Sequence, residues 1–167
     1  MEVSSRNTES VASPRGRPGA LGRPRLRASA AMAARFVGAL SLLAVGAVHL
    51  QQYEYLYSAI PTIGRLFVLN FVGATALGLG LLAPIERLLG RLGGAGVALL
   101  ALGGVGLAST AFVFLLVAER TPVFGFQEPG YDPTAIMASR VSELVTVGLL
   151  GSFLVARFAG RGSDARW

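Results

Sequence analysis

Among the polar side chains inside the long apolar stretches of this chain, five are the most informative: His49, Asn70, Thr110, Arg140 and Glu143. A central charge costs roughly 2.5–3.5 kcal/mol on insertion into lipid, so such residues are expected to face the interior of a helix bundle. Arg140 and Glu143 are three apart, a spacing at which helical side chains can pair. On one reading they neutralise each other and pin their helix. On the other, Glu143 accepts a proton or cation, or the pair holds an anionic headgroup. Glu143 lies about ten residues past Pro133, roughly 15 Å along a helix, which is deep for an interfacial residue.

His49 is the only histidine. Its plain reading is an interfacial hydrogen-bonding residue. A bis-histidine haem is excluded within one chain, and Met137 would be the only partner for histidine–methionine ligation. His49, Glu143 and Glu128 could be combined into a metal site, but no ligand spacing supports one. Cysteine is absent, which removes disulfides, thiolate metal sites and thiol redox relays. The sequence therefore calls for no metal and no cofactor.

The segment from Thr121 to Pro133 mixes Phe124, Phe126 and Tyr131 with turn residues and the acids Glu128 and Asp132. It reads first as an interfacial turn whose phenylalanines dip into headgroups, and second as a short lid over the mouth of a bundle. Glu128 and Tyr131 are its contributors to such a site, and the segment 51–63 is its natural partner.

Four apolar stretches must position these residues. The chain is 53% hydrophobic and 14% charged, with a mean hydropathy of +0.59. A soluble domain carries about 25% charged residues. Spans are expected at about 33–53, 65–82, 92–118 and 133–157. Lipid satisfies no backbone polar group, so each must be helical. The apolar core of the first span is short, which requires Arg35 to snorkel. Basic residues before an apolar run also suggest a signal peptide, but no small-x-small site follows Val48. Pro84 ends the second span. Asp132 and Pro133 open the fourth, as N-cap and first helical residue. The expected fold is all-α: a polytopic transmembrane four-helix bundle with a disordered N-terminal tail.

That tail, residues 1–31, is rich in Arg, Pro, Gly and Ser and has too little bulk to order itself. Met32 is an alternative start, which would make some or all of the tail a start-site artefact. Residues 159–167 form a C-terminal tail. The fifteen basic residues are all arginine. With abundant Ala and Gly, this reads as the coding bias of a GC-rich bacterial genome. The net charge of +6 and pI near 11.0 do not point to nucleic acid, because the arginines sit in the tails and turns where topology asks for them. Arginine in both tails and in the turn with Arg87 and Arg91, against acids in the other two connections, places both termini in the cytoplasm. Tyr53, Tyr55, Tyr57 and Tyr131 then mark the outer boundary.

Helical spacing aligns Ile136, Arg140, Glu143, Val147 and Gly151 on an inward face of the fourth span, leaving Val141, Val145, Leu149 and Phe153 to lipid. Gly38, Leu42, Val45 and His49 align on the first span. Asn70, Gly73, Ala74 and Leu77 align on the second, and Gly96, Gly103 and Thr110 on the third. Small residues share these faces, and small residues let membrane helices approach closely. One seam is thus expected to form both the packing surface and an outward-facing polar pocket.

The segments His-Leu-Gln-Gln-Tyr at 49–53, Ile-Pro-Thr-Ile-Gly at 60–64, Leu-Phe-Val-Leu-Asn-Phe at 66–71 and Phe-Gly-Phe-Gln-Glu-Pro-Gly-Tyr at 124–131 resemble those of a group of small four-span membrane proteins of actinobacteria. The resemblance covers about residues 33–158. It implies a four-helix membrane fold in a bacterial plasma membrane and carries over no catalytic residue. The four-span DoxX-like proteins are a looser comparison, on span count alone.

Three function classes remain. The favoured one is an integral membrane protein that serves as an accessory subunit or binds a lipid or quinone through His49, Asn70, Arg140 and Glu143. Its expected partners are membrane lipids and a second copy or another membrane protein. The second class is a small transporter that couples protons through Glu143, although no inverted repeat supports it. A membrane enzyme comes last, because His49 with Glu143 is the only acid–base pairing on offer.

Overall fold

The computed structural model describes residues 22–163, and all four expected spans are helices. The first, α1, is Gly22–Tyr55. A single 3-10 turn at Tyr57–Ala59 leads to α2, Pro61–Leu82, which places Pro at its first position, where a missing N–H costs nothing. Ala83 is extended, as the residue before Pro84 must be, and this stops α2. A short helix α3, Ile85–Leu88, and a 3-10 turn at Gly90–Leu92 lead to α4, Gly93–Ala118. The loop 119–132 returns the chain to α5, Pro133–Ser163. Four helices are long and apolar enough to cross a membrane, over Leu26–Tyr55, Pro61–Leu82, Gly90–Ala118 and Pro133–Ala159.

Two boundaries differ from the sequence expectation. Residues 22–31 belong to α1 and not to the tail. The run from Ala28 to Ala34 is strongly helix-forming, and extending an existing helix is far easier than starting one. Likewise α5 continues through 159–163, the start of the expected C-terminal tail. Residues 1–21 and 164–167 lie outside the described residues.

The helices form an up-down-up-down bundle. α1 packs against α2 and α5, α4 packs against α5 and α2, and α1 and α4 face each other across the diagonal. One half is solid. Ala39, Leu42, Ala74, Leu81, Val97, Ala101, Leu150 and Phe153 form its buried core, towards the end that carries Arg87 and Arg91. The diagonal closes at Gly104, where a Cβ would stand 2.8 Å from Leu150 and 3.0 Å from Leu42. At the same end the α3 turn is drawn tight against α4. A Cβ on Gly93 would fall 2.4 Å from the Glu86 backbone, so only glycine fits.

Arg35 locks this end. It is 3% exposed, so it does not snorkel. Its guanidinium donates to the carbonyls of Leu81 at 2.8 Å and Ala83 at 3.0 Å, and to Glu86 at 2.5 Å. The C-terminus of α2 leaves carbonyls without helical partners, and a buried cation satisfies them. Partial burial works to raise Glu86, but its backbone hydrogen bond and Arg35 outweigh that effect and hold its carboxyl below the ordinary range.

Candidate functional site

The other half of the bundle is hollow. A cavity of about 580 Å³ opens beneath the 119–132 loop, and His49, Asn70, Thr110, Glu128 and Glu143 all line it. The sequence therefore selected residues that the fold does bring together. Arg140 and Tyr131 do not line the cavity, and Tyr131 is 69% exposed.

Glu143 is the deepest charged group in the cavity wall. It is 1% exposed. Its Oε1 accepts a hydrogen bond from Ser139, one turn earlier on α5, at 2.8 Å, while Oε2 is buried with no partner. The expected pairing with Arg140 is not formed. Arg140 instead reaches both carboxylate oxygens of Glu119, at the end of α4, at 2.5 Å. The reason lies in the rotation of α5. Its buried residues are Ala135, Ser139, Glu143, Thr146, Leu150 and Phe153. This stripe is rotated from the expected one, so that Arg140 falls on its flank beside Glu119, and Phe153 enters the core instead of facing lipid. Val141 and Val145 are exposed, as expected. α4 is rotated in the same way: Val97, Ala101, Gly104 and Ala108 are buried, and Thr110 sits at the cavity mouth.

His49 is held by its own helix. Its Nδ1 lies 2.8 Å from the Val45 carbonyl, which can only accept, so Nδ1 carries the proton and Nε2 of the neutral ring is an acceptor. The ring leans on Phe67 with centroids 5.1 Å apart. Asn70 adds an amide whose Oδ1 is buried and unpartnered. Met137 is exposed and stands away from the cavity, so it offers His49 no second iron ligand. Among the described residues, no three His, Cys, Asp or Glu side chains come close enough to hold a metal ion.

The loop covers the cavity. Val123 and Phe126 exchange backbone hydrogen bonds around a two-residue turn in which Phe124 and Gly125 both have positive φ, 52° and 80°. The two phenylalanines consequently point opposite ways. Phe124 is exposed and stacks near Phe114, while Phe126 turns inward to meet the Tyr57 ring edge-on at 5.5 Å. The lid reading thus describes Phe126, and the outward reading describes Phe124.

Two polar clasps fasten the lid to the α1–α2 connection. The Tyr57 hydroxyl donates to Glu128, whose other oxygen accepts from the Gly130 N–H at 2.9 Å. Burial, together with this bond and the Glu128 charge, pushes the Tyr57 hydroxyl well above its ordinary value. Gln52 donates to Asp132 at 2.9 Å, and the other Asp132 oxygen caps α5 through the Ala135 N–H at 3.0 Å. The Ala135 and Gln52 hydrogen bonds hold the Asp132 carboxyl below its usual range. Sequence reading missed Gln52, Tyr57, Ser139 and Thr146 as site or packing residues. Gln52 and Tyr57 were indicated only as part of the 51–63 segment expected to partner the loop, and Ser139 only by its helical spacing to Glu143.

The cavity is also open sideways. α2 and α4 interlock at Gly73 with Leu107 and at Gly103 with Leu77, with a Cβ on either glycine at 3.0–3.1 Å from its neighbour. Towards the loop the two helices part. Leu69, Gly106 and Thr110 line the cavity and are themselves exposed, and a Cβ on Gly106 would meet nothing within 4 Å. The gap therefore faces the apolar outer surface of the bundle. The chain matches no protein-family model, no curated protein and no solved structure.

Proposed function

We propose that this protein is a multi-pass protein of a bacterial plasma membrane, with both termini cytoplasmic, that admits a polar-headed lipophilic molecule of lipid or quinone type into its hollow outer half. One observation carries the reading: a buried carboxylate with an unpartnered oxygen, Glu143, stands in a cavity walled mainly by apolar side chains and open between two helices. A pocket that is apolar with a few convergent polar groups is the usual form of a small-molecule site. A gap on the lipid-facing side supplies a route that never leaves the bilayer. The lid and its clasps close the route from water.

The proposed orientation rests on the arginines of the 83–92 turn and the two tails. We also propose kinship with small four-span membrane proteins of actinobacteria, on the resembling segments alone. His49, Gln52, Ile63, Phe67, Asn70, Phe126 and Glu128 all come from them and all line the cavity.

Proton-coupled transport through Glu143 is the second reading, favoured by that same carboxylate. The solid half weighs against it, since Leu42, Leu81, Val97 and Leu150 are fully buried beneath the cavity and leave no second opening there. An optical spectrum followed by native mass spectrometry of protein purified in mild detergent tests the binding reading. A stoichiometric lipid-like or quinone mass supports it. A bare protein together with proton-driven uptake in vesicles, abolished in Glu143→Gln, would replace it with the transporter.

A further inference from the structure

The cavity carries a charge preference. Three acids line it, Glu128, Asp132 and Glu143, and no arginine does. The nearest basic residue, Arg140, is paired with Glu119 and acts on Glu143 only through space, with no hydrogen bond to it. The partners of the three acids are all neutral donors: Tyr57 and backbone N–H groups for Glu128, Gln52 and the Ala135 N–H for Asp132, and Ser139 for Glu143. Hydrogen bonds of this kind steady a carboxylate without cancelling its charge. The unpartnered oxygen of Glu143 is buried within the same cavity. Acids gathered in an apolar recess focus a negative potential. Aromatic faces add to it, because Tyr57, Phe67 and Phe126 line the same space and a ring face attracts a cation.

We infer that the occupant of this cavity is a lipophilic cation, an amphiphile whose positive head sits against Glu143 and the Tyr57–Phe67 rings. This rests on the proposed reading of the cavity as a lipophile site and narrows it. An anionic headgroup would meet three carboxylates and no arginine. A neutral head with a donor could bond the free Glu143 oxygen but would leave the charge of the site uncompensated. A cation satisfies both, and its hydrocarbon portion lies in the gap between α2 and α4.

The experiment is equilibrium dialysis of the full-length protein in an uncharged detergent against three probes, each compared with protein-free micelles. The probes are tetraphenylphosphonium, its isosteric anion tetraphenylborate, and a short-chain benzoquinone. The expected result is saturable binding of the phosphonium with no specific binding of the borate. Glu143→Gln should weaken phosphonium binding about tenfold or more, the scale of a lost desolvated charge contact. Glu143→Asp, which keeps the charge, should retain most of it. The comparison of cation with anion on the unaltered chain decides the matter even if neither variant folds. Equal binding of both ions, or binding of the quinone alone, would overturn the cation assignment and leave the lipophile site standing. Binding of none of the three would overturn both.

Discussion

Arg140 of α5 holds Glu119, the residue that follows α4, at 2.5 Å, and this contact leaves Glu143 without an ion-pair partner on its own helix. The pair ties the two ends of the lid loop together, since Glu119 opens the loop and Arg140 lies two turns beyond its close. It also leaves the cavity without a cation of its own. A double-mutant cycle between Arg140 and Glu119 should give a coupling of about 1 kcal/mol, the upper range for a partly exposed pair. The same cycle between Arg140 and Glu143 should give a smaller coupling. Thermal unfolding in detergent checks both, and a stronger Arg140–Glu143 coupling would reverse the assignment.

Arg35 is predicted to be the costliest basic residue to remove. Its fork serves two carbonyls and Glu86 at once from a buried position. Arg35→Ala should destabilise the bundle by about 2 kcal/mol or more, because the buried Leu81 carbonyl is left unsatisfied and Glu86 loses its cation. Arg35→Lys should recover little, since an ammonium cannot reproduce the planar fork. Arg87→Ala, at an exposed position, is the control and should change stability little.

How far the sequence foretold this molecule depends on the feature. The spans were legible because lipid permits only helices and the apolar runs are long enough to declare themselves. Asp132 and Pro133 marked the start of α5 by local chemistry alone. The helix faces were less legible. α4 is apolar all round, so its pattern gives no direction, and its rotation is set by where Gly104 admits Leu42 and Leu150. The partner of Arg140 was hidden for a related reason: Glu143 is near in sequence, whereas Glu119 becomes near only after the loop folds. Arg35 misled because snorkelling is the rule for an arginine near a span end, and only the stop of α2 before Pro84 creates the carbonyls that hold it.

Acid should loosen the lid through Asp132. Its folded carboxyl lies below the unfolded value of about 3.8, held there by the Ala135 N–H and by Gln52. The stabilisation is therefore present in full above that unfolded value and is lost as pH falls through the lower folded one. Asp132→Ala should melt at a lower temperature than the unaltered chain at neutral pH, and the gap between them should shrink in strong acid. Melting curves across pH check this; a gap that is constant with pH would show that the charge of Asp132 plays no part.

Gly106 offers a way to fill the cavity without disturbing the core. It lines the gap and has open space where a Cβ would stand. Gly106→Phe should fold with stability close to that of the unaltered chain and lose most ligand binding. Gly104→Phe, by contrast, would strike Leu42 and Leu150 and should unfold the bundle. Parallel melting and ligand-binding measurements separate the two effects. Full binding by a folded Gly106→Phe would place the ligand elsewhere.

The most direct measurement is an experimental density map of the protein in a lipid nanodisc. The account predicts elongated density passing through the α2–α4 gap beside Thr110, with a head within contact distance of Glu143. A closed gap, with the Glu143 oxygen satisfied by a protein side chain and no density in the cavity, would contradict it.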